Sequence, residues 1–149
     1  MGGFTLVELM ITVLVAAVLL AIAAPGFRSL IERNRLQAAT SNLYTSLVLA
    51  RSEALKRNQP VIVCQSASGQ SCGTTPAGRW EDGWIVHVDP NNPPTLDPND
   101  IIAVREGLDG GDTVWVVDDP NATTPAGKQL VTYQTDGGAA EQVFFVLCN

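Results

Sequence analysis

The chain has 149 residues, 46% of them hydrophobic and 16% charged, with a formal net charge of −6 and three cysteines. Setting aside a strongly apolar N-terminal stretch of about 25 residues, that length leaves one globular domain of modest size. The acidic balance makes nucleic acid a poor electrostatic match, and a single histidine with three scattered cysteines offers no zinc site of ordinary ligand count and spacing.

Phe4 to Ala24 is a run of 21 residues in which Glu8 is the only ionisable group. As a helix rising about 1.5 Å per residue it measures roughly 30 Å, the hydrocarbon thickness of a bilayer. A carboxylate inside such a run costs roughly 2.5–3.5 kcal/mol in lipid, so Glu8 calls for a partner. The lysines and arginines all lie beyond residue 27. The partner therefore comes from another subunit, or from an amine freed by cleavage just before Phe4. A secretory signal peptide competes, because Ala21-Ile22-Ala23 has the small-x-small form, but its n-region would hold no Lys or Arg and Glu8 breaks its apolar run. An ordinary membrane anchor needs neither Glu8 nor the glycine before Phe4, and a buried helix of a soluble domain is shorter.

Gly3-Phe4-Thr5-Leu6-Val7-Glu8, followed by the uninterrupted apolar run, resembles the processing site of type IV prepilins and type II secretion pseudopilins. The resemblance implies that a prepilin peptidase cuts after Gly3 and that Phe4 becomes an N-methylated mature N-terminus. Residues 4–25 would hold the subunit in the inner membrane, among its lipids, with a periplasmic head, and later pack against other pilins in a filament. Thr5 and Glu8 would act in assembly, Glu8 pairing with the amine of a neighbouring Phe4. Residues 1–3 depart from the pattern, since Met1-Gly2-Gly3 carries none of the basic residues usual in such leaders.

Pro25-Gly26 is placed to kink the helix. Leu36, Thr40, Leu43, Leu47, Ala50 and Ala54 then recur at alternating steps of four and three, predicting an amphipathic helix within residues 26–58. Phe4 to Arg57 would be one extended helix of roughly 80 Å apart from the kink. Charge divides along the chain. Phe27–Asn58 holds six basic and two acidic residues, with Arg28, Arg33 and Arg35 set to meet headgroups, acidic neighbours or solvent; Gln59–Asn149 holds three basic and twelve acidic.

Asn58-Gln59-Pro60 ends the helix, and residues 59–149 read as a β-rich head. Strands are expected at Val61–Cys64, Gly83–Asp89, Ile101–Arg105, Thr113–Val117, Leu130–Gln134 and Gln142–Cys148, with turns around Asp89–Pro94, Asp109–Asp112, Asp118–Asn121 and Asp136–Gly138. Consecutive strands with short turns argue for a mainly antiparallel sheet laid on the helix stripe, an α+β fold. Cys64 and Cys72 flank a polar loop that a disulfide would close, leaving Cys148 unpaired or short of a partner.

A narrower resemblance covers most of the chain. Ala50–Asn58, Val61–Cys64, Asp82–Asp89 and Asp97–Ile102 are similar to the FimT/FimU-type minor pilins and the related GspH pseudopilins. It implies a type IV pilin-like fold and a low-abundance subunit that primes or caps a type IV pilus, with roles in twitching motility or DNA uptake. The alternatives are a GspH-type pseudopilin of type II secretion and a DNA receptor at the pilus tip. Relatives usually continue past the position of Cys148 with further strands, so a longer natural chain is expected. The DNA reading draws on basic residues near the C-terminus, where this chain has only Lys128 after Arg105.

The catalytic inventory is thin. His87 sits mid-strand between apolar neighbours and reads as structural. No phosphate-binding glycine loop precedes a helix, and no Ser/His/Asp set has its local signature, so no enzyme and no catalytic residue are expected. Asp89, Asn91, Asp97 and Asp100 supply oxygen ligands for calcium, yet they lack the alternation of an EF-hand and stand among prolines, which reads as an acidic turn. Trp80, Trp84 and Trp115 offer either a stacking surface or, as is commoner, partly buried sheet residues.

Overall fold

A computed structural model describes residues 3, 5–73, 79–88, 97–108, 111–121 and 127–148, without the side chains of residues 23–26 and 28. The chain forms two compact units, Met1–Arg35 and Leu36–Asn149. Helix α1, Leu6–Arg57, supplies the first unit's described structure and the opening segment of the second. The kink expected at Pro25-Gly26 falls outside the described side chains. Lys56 and Arg57 in the last turn suit the negative end of the helix dipole. Asn58 then takes the left-handed conformation at φ 52, and Pro60 prevents continuation.

In the second unit, Ala39, Leu43, Ser46, Ala50 and Ala54 form the buried face of α1, with Leu36 and Leu47 half-buried beside them. Thr40, expected on this stripe, is exposed, and its hydroxyl donates to the Leu36 carbonyl at 2.8 Å. The true periodicity brings Ala39 and Ser46 inward instead. Small residues dominate the stripe, which lets the sheet come close.

Six strands follow: β1 Val61–Gln65, β2 Gly83–Val88, β3 Ile101–Glu106, β4 Thr113–Val117, β5 Leu130–Tyr133 and β6 Phe144–Cys148. They form a four-stranded antiparallel sheet in the order β3-β2-β1-β5 and a separate antiparallel ribbon of β4 and β6. The sheets are antiparallel as expected, and strands consecutive in sequence are neighbours only from β1 to β3. Beyond them β5 returns to the far side of β1, and β4 waits for β6. The β2–β3 register shifts between Val86 and His87, the mark of a bulge.

Strand alternation divides the large sheet between two clusters. Val61, Val63, Trp84, Val86 and Val131 pack with Leu43, Ala50 and Ala54 of the helix, and Val114, Val116, Phe145 and Leu147 of the ribbon close the same core. Ile62, Cys64 and Ile85 face the opposite way, with Cys72 packed on them. Trp80 and Trp84 are buried and Trp115 half-buried, so these rings are framework. The indole Nε1–H of Trp80 donates to the Lys128 carbonyl at 3.0 Å, and its ring meets Phe145 edge-on at 5.1 Å. Trp84 Nε1–H donates to Ser46 Oγ at 3.0 Å, tying the helix to the sheet inside the core.

Candidate functional site

The first unit contains the most conspicuous chemical feature. Every described side chain from Leu6 to Ile22 is exposed, and the large apolar ones are between 49% and 75% accessible. An apolar surface of this extent, broken only at Glu8 and Thr12, would be a liability on a soluble protein left uncovered. Among the described residues no helix is long and apolar enough to cross a membrane.

Thr5 and Glu8 open this helix. The Thr5 hydroxyl accepts from the Glu8 backbone N–H at 3.2 Å, and the Thr5 carbonyl accepts from Leu9 N–H, also at 3.2 Å. Thr5-Leu6-Val7-Glu8 is thus a capping-box sequence with its Thr half formed. The spacing of Thr5 and Glu8 carries that local role, which the resemblance to prepilins, pointing to assembly, leaves out. Glu8 lies in the first turn, where the helix dipole favours an acid. Its carboxylate has no partner among the described residues. Gly3 precedes the helix, and Phe4 lies outside the described residues.

In the head, Cys64 and Cys72 are joined in a disulfide, with Cα atoms 5.6 Å apart. The enclosed loop is held by Ser66, whose hydroxyl donates to the Ser71 carbonyl at 2.6 Å and accepts from Gly69 N–H at 3.0 Å. Ser66 N–H in turn donates to the Gly83 carbonyl at 2.8 Å, anchoring the loop to β2. Cys148 is a free, exposed thiol. His87, expected from the sequence to be structural, is buried with its ring 3.4 Å from Cys72 Sγ.

Two of the three cations after the helix, Arg79 and Lys128, face acids, while Arg105 donates to the Val104 carbonyl at 3.3 Å. Arg79 Nε stands 3.1 Å from Asp82 and 3.6 Å from Glu81. Lys128 bridges Asp118 at 3.0 Å and Glu141, and the Glu141 hydrogen bond, followed by that of Asp118, raises its pKa above the usual lysine value. Neither is offered to a phosphate backbone. Of the calcium candidates, Asp89 and Asn91 lie outside the described residues; Asp97 spends Oδ1 on its own turn, accepting from Asn99 N–H at 2.9 Å.

The long N-terminal helix and antiparallel β head are the architecture of pilins. The crystal structure of the Pseudomonas aeruginosa (strain PAO1) type IV minor pilin FimU matches with a TM-score of 0.52 at 20% sequence identity, over 78% of this chain and 74% of that one. Residues 39–149 match the family described as Type II transport protein GspH. The chain belongs to the GspH family, a group of pilin-type structural subunits rather than enzymes. A comparison with curated proteins returns no match.

Proposed function

We propose that this protein is a minor pilin that primes or caps a type IV pilus, held in the inner membrane through its N-terminal helix until assembly. One observation carries the reading: the apolar surface of Leu6–Ile22 is bare on every side, and Glu8 is the only charged group in it. A filament core of parallel helices covers such a surface, and lipid covers it beforehand. Cleavage after Gly3 would free the Phe4 amine, which a prepilin peptidase methylates, and Glu8 of the adjoining subunit would neutralise it. A type II secretion pseudopilus is the second reading, favoured by the description of the matched family. A DNA receptor draws no support from Arg79 and Lys128, which are each committed to carboxylates.

The test is expression of the full chain in a host with prepilin peptidase and a pilus or secretion filament. The expected mature mass begins at methylated Phe4, and Glu8→Ala should remove the subunit from sheared filaments while leaving its membrane level unchanged. A Glu8→Ala protein that enters filaments at the parental level overturns the assembly role. Maturation at the alanines before Pro25 overturns the membrane and filament reading altogether. Restoring surface filaments in a pilus-deficient strain, or secretion in a secretion-deficient one, chooses between the two systems.

A further inference from the structure

On the sheet face turned away from α1, three ligand-type side chains converge. Cys64 of β1, Cys72 at the end of the loop and His87 of β2 bring one ligand atom each to within 4.8 Å of one another. The register explains the meeting. Ile62 pairs with His87 and Cys64 with Ile85, so Cys64 and His87 are diagonal neighbours on one face. The loop then returns Cys72 over them.

The histidine is oriented for ligation. Its Nδ1 lies 3.1 Å from the Val88 carbonyl oxygen and its Nε2 3.4 Å from Cys72 Sγ. With the proton on Nδ1, where the Val88 carbonyl would accept it, Nε2 carries the lone pair that would face an ion once the disulfide is open. An imidazole that donates one N–H to a backbone carbonyl while aiming the other nitrogen at a common point is the usual arrangement around a metal.

We propose that the disulfide has an alternative state: in the reduced chain, Cys64, Cys72 and His87 bind one zinc ion as a Cys2His site with water in the fourth position. The electron and proton count closes. A dithiol reductant supplies two electrons and two protons, the Cys64–Cys72 bond breaks, and the reductant becomes a disulfide. Zinc then displaces both thiol protons and forms two Zn–S bonds and one Zn–N bond. Two thiolates cancel the charge of the ion, which lets a buried site hold it. With Zn–S near about 2.3 Å, tetrahedral geometry sets the sulfurs about 3.8 Å apart. Cys64 is fixed in the centre of the sheet, and the half-buried Cys72 at the loop end makes the adjustment. Zinc and disulfide thus close the same loop over Ile62 and Ile85, one in reducing and the other in oxidising surroundings. The proposal is independent of the assembly role.

The experiment uses the full chain in detergent micelles with Cys148→Ser, which removes the competing exposed thiol. After reduction and removal of the reductant, Co2+ is titrated anaerobically. The expected result is one equivalent bound, with thiolate-to-cobalt charge transfer and the strong visible bands of a tetrahedral site, all displaced by Zn2+. The disulfide form should give none of these. His87→Ala should weaken Co2+ binding by at least about tenfold. In the parent, the ring nitrogens of His87 report directly by NMR: zinc should shift Nε2 while Nδ1 keeps its proton. Absence of the tetrahedral spectrum, or a His87 ring that zinc leaves unmoved, overturns the proposal even if His87→Ala fails to fold.

Discussion

Ser46→Ala should destabilise the head far more than the loss of one hydroxyl from a helix surface suggests. Ser46 is fully buried and its Oγ accepts the indole N–H of Trp84 at 3.0 Å, while donating to the Asn42 carbonyl at 2.9 Å. Alanine strands the Trp84 N–H in the core, a penalty of about 1–3 kcal/mol. Better helix propensity returns roughly 0.5 kcal/mol. The net loss is then about 0.5–2.5 kcal/mol, a fall in Tm of roughly 2–10 °C for a unit of this size. Thermal and urea unfolding of the full chain in detergent, followed by tryptophan fluorescence, measures it. Thr40→Ala on the same helix is the control: its exposed hydroxyl bonds only to the Leu36 carbonyl, so the change should stay within about 0.5 kcal/mol. A Ser46→Ala variant as stable as the Thr40→Ala control would refute the view that this bond joins helix to sheet. In a double-mutant cycle, Trp84→Phe should cancel much of the Ser46→Ala cost, because no stranded donor remains.

Opening the disulfide by Cys72→Ser, under oxidising conditions and without metal, should cost about 2–3 kcal/mol from loop-closure entropy, read as a lower urea midpoint. Gly137→Ala should cost about 1–3 kcal/mol, because Gly137 has φ +76 and a Cβ there would sit 3.0 Å from Leu55; an unchanged Tm would contradict a left-handed backbone at this turn. The hydrogen bond from Arg57, opposed by desolvation and aided by Lys56, holds the Glu53 pKa below 4.5. Its contribution is therefore present above pH 4.5 and lost as pH falls through the lowered value. Lys128 titrates above 10.5, so its contribution is complete below that pH and lost as pH rises through the raised value. Glu53→Gln should flatten only the acid limb of a stability–pH profile, and Lys128→Met only the alkaline limb.

Strand positions are legible in the sequence because β-branched runs alternate with Asp/Gly/Pro turns, and all six expected strands occur with ends shifted by two residues at most. Pairing is not legible. Nothing in Leu130–Tyr133 states that it lies beside β1 rather than β4, since that choice depends on how distant segments share one core. The helix stripe is nearly legible, but the spacing favours Thr40 where the fold buries Ala39 and Ser46. A period of alternating three and four residues fits several neighbouring faces when small residues are frequent. The meeting of Cys64, Cys72 and His87 is hidden for a related reason. A search for closely spaced metal ligands passes over two cysteines separated by 8 positions and a histidine on the next strand.

Thr5 and Glu8 show how far a single chain accounts for its own N-terminus. Capping explains the Thr5 hydroxyl and the Glu8 backbone N–H, and the helix dipole favours the carboxylate by about 0.3–1 kcal/mol. Placing that carboxylate in hydrocarbon costs roughly 2.5–3.5 kcal/mol. On the proposed reading the difference has to be met from outside the chain, and a neighbour's ammonium group supplies it in a way a cap does not. The two roles separate under substitution. Glu8→Gln keeps a side chain able to complete the capping box but has no charge to neutralise an amine. It should therefore preserve helix content and membrane retention while losing assembly, whereas Thr5→Val should weaken the first turn and leave the charge pairing in place. Equal assembly defects in both variants, with equal loss of helix, would reduce Glu8 to a capping residue.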